Sequence, residues 1–148
     1  MAFTNTNDRL TGRKPTLAAA GGEVIAQRDA TALVAGDLDA NDAGAVTILP
    51  AGHELVGIVY DSDDLDTNAS PTVTASVGVM NAANTDLETV LAAGITASRD
   101  GTAVHLVTPA ILRLAAAATD RRIGVKFTAA AATKAAGAVG LTLLMRAA

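Results

Sequence analysis

Thr72-Val73-Thr74-Ala75-Ser76-Val77-Gly78-Val79 sets the period of this chain. Val73, Ala75, Val77 and Val79 fall on one face and Thr72, Thr74, Ser76 and Gly78 on the other, the two-residue alternation of a half-buried strand. Ile123, Val125 and Phe127 alternate in the same way with Gly124, Lys126 and Thr128, and Val139, Leu141, Leu143 and Met145 with Gly140, Thr142, Leu144 and Arg146. Four further segments, Glu23 to Gln27, Ala45 to Leu49, Leu55 to Tyr60 and Ala103 to Val107, are bounded by the Gly, Pro, Asn and Asp clusters that punctuate strands. About seven strands predict an all-β fold, a β-sandwich or a β-barrel.

Helix is the minor component, one or two short pieces. Thr85-Asp86-Leu87-Glu88 carries a capping-box pattern and the run stops before Gly94, which predicts a helix of about two turns. Thr108-Pro109 opens a second candidate, Ala110 to Ala118, which reads either as a helix or as a loop feeding the Ile123 strand. Residues 1–21 have no hydrophobic period and many side chains that compete for backbone hydrogen bonds, so they are expected to form an extended N-terminal arm ahead of a single β-rich domain over 22–148.

Composition narrows the function. Half of the 148 residues are hydrophobic, yet there is no Cys and no Trp, and there are only two His and three aromatics, Phe3, Tyr60 and Phe127. Acid–base and nucleophilic chemistry draws on residues that are scarce here, so no enzyme is expected. A chain of this length buries enough surface to fold without metals or disulfides. The mean hydropathy is +0.35, but charged residues, Thr or Gly interrupt every apolar run before it could span a bilayer, so no membrane association is expected. Asp8, Arg9, Arg13 and Lys14 stand where a secretory signal would be apolar, which points to synthesis in the cytoplasm. With 11 Lys and Arg against 15 Asp and Glu, the net charge of −4 supplies no field for direct nucleic-acid binding.

The densest polar cluster holds Asp61, Asp63, Asp64 and Asp66 between two predicted strands. Counted from Asp64 as an EF-hand loop, Asp66 and Asn68 fall correctly, but Ala69 stands where Gly is required and Ala75 where Glu is required. Two readings stay open: a solvated acidic hairpin bonding its own backbone, and a calcium site of another type; no metal or cofactor is assigned. His53 and His105 have no neighbours in a triad or ligand spacing, and a structural or surface role is expected for both. Asp120-Arg121-Arg122 reads as a solvated turn, with anion binding as the alternative. In the arm, Phe3, Arg9, Arg13 and Lys14 are the candidate partner-binding residues. The apolar content also exceeds what a small sandwich with few aromatics needs, so part of it is expected to be buried by other chains.

Ala35-Gly36-Asp37-Leu38, Ile48-Leu49-Pro50-Ala51-Gly52-His53, the run Gly57 to Asp66, Asp120-Arg121-Arg122-Ile123-Gly124-Val125 and Ala136 to Thr142 occur in an order that resembles small virion structural proteins of tailed bacteriophages, those that decorate or cement the head. The resemblance spans roughly Gly22 to Arg146. It implies an all-β protein with an extended arm, a homo-oligomer (trimer or dimer), seated on the capsid surface of the virion with the major capsid protein as partner. Tail, neck or head-fibre placement is the alternative within that class. Outside it stand a carbohydrate- or surface-binding β-sandwich module, which the scarcity of aromatics disfavours, and an enzyme, for which Asp63, Asp64 and Asp66 would have to converge with His53.

Overall fold

The alternating segments pair with one another. The computed structural model describes residues 1–148 and contains strands β1 (Val24–Leu33), β2 (Ala43–Leu49), β3 (His53–Ser62), β4 (Thr74–Met80), β5 (Leu87–Ile95), β6 (Ala103–Leu106), β7 (Arg121–Ala129) and β8 (Gly137–Ala147). One short helix, α1 (Pro109–Leu112), and two 3-10 turns at Ala35–Asp37 and Ala97–Arg99 complete it. The strands form two four-stranded sheets, ordered β1-β8-β3-β6 and β2-β7-β4-β5, and every pairing within them is antiparallel. The fold is a β-sandwich with one strand more than the sequence reading expected.

Two central strands carry much of the core. Val139, Leu141, Leu143 and Met145 of β8 and Ile123, Val125 and Phe127 of β7 are fully buried, as their period of two requires, and belong to one cluster of 25 buried residues between the sheets. Tyr60 is also fully buried and keeps its hydroxyl satisfied: it lies 2.6 Å from Ser98 Oγ, which donates in turn to Ser62 Oγ at 2.8 Å. Burial pushes the Tyr60 hydroxyl up to about 12.

The expected helix over Thr85 to Gly94 is instead β5. Asn81 Oδ1 accepts from the amides of Thr85 at 2.9 Å and Asp86 at 3.3 Å, so the polar side chains that suggested a helix cap build a turn between strands. Three register shifts against β4 break the alternation along β5, and Gly94, with φ of +70°, sits in the bulge between Ala92 and Ile95. The second helical candidate forms one turn only. Thr108 Oγ1 accepts from Ile111 N at 3.2 Å, Pro109 occupies the first turn, and the chain leaves the helix after Leu112. No helix is long and apolar enough to cross a membrane.

Gly78 marks the closest approach of β4 to β5, where a Cβ would run into the Thr89 carbonyl. Gly78→Ala is therefore expected to lower stability by about 1–3 kcal/mol with the β-sheet circular dichroism retained, as read from urea unfolding.

Candidate functional site: the arm seam and the acidic loop

β1 and β2 are edge strands, one in each sheet, and they lie beside each other along one side of the sandwich. An open pair of edges presents unpaired amides and carbonyls. The arm covers them. Phe3 N donates to Ala43 O at 3.0 Å, and its ring packs 5.9 Å from that of the core residue Phe127. Thr4 donates from both its amide and its hydroxyl to Asp37 Oδ1, at 2.9 and 2.7 Å. Asn7 Nδ2 spans the two sheets, donating to Val46 O of β2 at 2.7 Å and to Thr31 Oγ1 of β1 at 3.1 Å.

A polar network is buried beneath the arm. Arg9, only 2% exposed, donates from Nε to Asp29 Oδ2 at 3.0 Å and from Nη1 to the Pro15 carbonyl. Asp29 Oδ2 also accepts from Thr47 Oγ1 at 2.7 Å. Gln27 closes the network, receiving Leu17 N at 2.9 Å on Oε1 and donating from Nε2 to Thr47 Oγ1 at 3.0 Å and Ile48 O at 2.9 Å. Farther along, Ala19 N donates to His53 Nε2 at 2.9 Å, which assigns the His53 proton to Nδ1, 2.9 Å from Ala51 O. Of the four arm residues singled out in the sequence, Phe3 and Arg9 thus face the chain's own body. Arg13 and Lys14 face solvent, Arg13 at 3.9 Å from Asp8 and Lys14 at 3.7 Å from Asp29.

The four acidic candidates do not converge. Asp61 accepts the Nε and Nη2 fork of Arg28, at 3.1 and 2.6 Å. Asp63 Oδ2 accepts from Ala138 N at 2.7 Å, and Asp64 Oδ1 from Asp66 N at 3.1 Å. Asp66 is buried and takes four close backbone amides, Thr72 at 2.8 Å, Val73 at 3.1 Å, Ala132 at 2.9 Å and Thr133 at 2.8 Å, with Asn68 N a longer fifth at 3.4 Å. Burial alone would raise its pKa, but the four donors outweigh it and hold the carboxyl well below the usual carboxylate range. No three His, Asp or Glu gather into a group that could hold a metal ion. His53 and the acidic loop stand at opposite ends of β3, about 30 Å apart at about 3.3 Å per residue, so Asp63, Asp64 and Asp66 do not converge with His53.

No protein-family model and no curated protein matches the chain. Three chains of solved structures do, two of them above 25% identity. A chain in the capsid of Ralstonia phage GP4 is 29% identical over 97% of this chain and 97% of that one, with a TM-score of 0.85. A chain of the cyanophage Pam1 capsid asymmetric unit is 27% identical over 92% of this chain and 96% of that one, with a TM-score of 0.69. These likenesses support a bacteriophage virion structural protein.

Two substitutions test the site. Arg9→Ala leaves buried Asp29 with only the longer, solvent-facing contact to Lys14 and is expected to cost about 3 kcal/mol in urea unfolding, whereas Arg13→Ala, at the surface, stays within about 0.5 kcal/mol of the parent. Asp66→Asn replaces an acceptor-only group with one that turns an NH2 toward amide donors, at a cost of about 3 kcal/mol. Because the folded-state pKa of Asp66 is lowered, its contribution is complete above the ordinary value of about 3.9 and is lost as pH falls below it. Acid unfolding below about pH 4 is therefore expected to be shallower in Asp66→Asn than in the parent.

Proposed function

We propose that the chain is a structural protein of a tailed-phage head that binds the outside of the capsid lattice and stabilises it, without catalysis. The observation that carries this reading is the likeness to chains found in two phage capsids, which extends over more than nine-tenths of this chain and of each capsid chain. The matched chains are therefore about as long as this one. A sandwich of this size whose arm is folded on its own edge suits an accessory that docks onto a finished shell. In this role each copy contributes a modest contact, and repetition over the lattice multiplies the holding power.

The side opposite the arm supplies the contact surface. β5 and β6 are the remaining edge strands, and β6 is exposed along most of its length. Val90, Val104, Val107 and Leu112, all on or next to these two edges, are among the few large apolar side chains that face solvent. An unsealed edge with exposed valines is costly to keep in solution and suits burial against a lattice.

Co-sedimentation of the purified protein with expanded, undecorated heads tests the reading. Saturable binding is expected, weakened at least about tenfold, or about 1.4 kcal/mol, by Val104→Lys with Val107→Lys, and unchanged by Asp64→Asn in the acidic loop. Binding to purified tails and not to heads would overturn head placement.

A further inference from the structure

Arg121 has no partner. It opens β7 at the rim of a pocket of about 580 Å³ whose lining also includes Ile48, Met80, Glu88, Asp120 and Arg122. Its Nε and Nη2 are both buried and make no hydrogen bond. Other arginines that lean on the body are satisfied: Arg9 by Asp29 and Pro15, and Arg99 by the Val73 carbonyl and Thr74 Oγ1. A guanidinium with two of its three nitrogens out of water and no counter-charge is costly to keep, and partial burial lowers the Arg121 pKa from its ordinary value. The acids in the lining do not relieve it. Asp120 Oδ1 is engaged by Ala51 N at 2.8 Å, and Glu88 forms no ion pair with either arginine.

The two orphaned nitrogens define the ligand. Nε and Nη2 present parallel N–H groups, the fork that matches both oxygens of a carboxylate. This chain already uses that fork in that way, where Arg28 holds Asp61 through the same two atoms. Arg122, exposed on the same rim and also without an ion pair, adds positive charge at the entrance.

We propose that the Arg121 pocket is a binding site for a carboxylate, carried either by an acidic side chain of another protein or by a small free acid. The fork is tucked against the protein, with Nε and Nη2 both buried. Rotation about the outer torsions of the flexible stem presents it to the pocket, and the entering carboxylate replaces a lost solvation shell with two charge-assisted hydrogen bonds.

Arginine Nε–Hε resonances of the intact protein provide the test, followed by nuclear magnetic resonance during titration with sodium acetate, with sodium chloride at matched ionic strength and with inorganic phosphate. The Arg121 resonance is expected to move saturably with acetate and not with chloride. Read in the variants at the backbone amides of Glu88 and Arg122, which line the same pocket, the saturable acetate response should be lost in Arg121→Gln and weakened in Arg121→Lys, which keeps the charge and loses the fork; in Arg122→Gln the Arg121 resonance should still respond. Removal of an unpaired buried cation should leave the thermal midpoint of Arg121→Gln unchanged or raised. Saturation by an acetyl-Ala-Glu-Ala-amide peptide at lower concentration than acetate assigns the source to a protein side chain, and equal or weaker peptide binding assigns it to a small acid. A response that never saturates, saturation by phosphate below acetate, or acetate binding that appears only in Glu88→Gln would each overturn the proposal, the last by showing that Glu88 already fills the fork.

Discussion

The buried contact between Arg9 and Asp29 is the constraint on which the shape of this molecule turns. A sandwich of two open sheets has four edge strands, and here β1 and β2 meet along one side, so whatever covers that side must satisfy backbone from both sheets at once. A buried ion pair by itself contributes little, since desolvation offsets most of the attraction. This one sits within a network in which Thr47 donates to Asp29 and Gln27 donates to Thr47, so β1, β2 and the arm share one set of hydrogen bonds. The pair thereby sets the path of the arm: a shift of one residue would leave both charges buried without each other. Phe3 at one end and Leu17 N at the other are held in register by that fixed centre.

Asp66 plays the corresponding part at the far end of the sandwich. Four of its amide donors come from two segments remote in sequence, Thr72 and Val73 entering β4 and Ala132 and Thr133 leaving β7. One carboxylate therefore sits at the centre of a junction that Thr67 N on Thr133 O and Thr72 Oγ1 on Ala130 O also close. The anion is strongly solvated by these fixed dipoles, which is why it remains ionised despite burial. A group with its acceptor capacity so occupied is a structural anchor, and its neighbours Asp61, Asp63 and Asp64 each serve a separate local contact.

The strands that could be read from sequence were those with one face in the core. β7 and β8 are central in their sheets and largely keep pleat and burial in phase, whereas β4 is buried on both faces and was legible because the small polar or side-chain-free Ser76 and Gly78 line its second face. β5 escaped because three register shifts put its buried residues at irregular spacing, and because Thr85 and Glu88 mimic a helix cap in a segment whose turn is organised by Asn81. The site residues were harder for a different reason. Arg9 and Arg13 are alike in an arm without periodicity, and only Asp29, twenty residues away, separates the buried one from the exposed one. Among Asp61, Asp63, Asp64 and Asp66 nothing local marks the last, since its burial is decided by amides some 66 residues later in the chain.

Charge burial in this fold follows a rule that Arg121 breaks. Arg9, Asp29, Asp37 and Asp66 all lie inside the molecule, and each is surrounded by groups of complementary polarity from its own chain. Such matching is what a small domain requires, because an unpaired buried charge costs a large part of a total stability of only about 5–15 kcal/mol. Retention of one unmatched guanidinium beside an open pocket is therefore a local conflict inside an otherwise consistent design, and conflicts of that kind mark places where structure serves binding. The arm seam, by contrast, is internally complete. The β5/β6 edge, short of backbone partners, and the Arg121 pocket, short of a carboxylate, are the two surfaces on which the proposed contacts would supply what the chain itself leaves open.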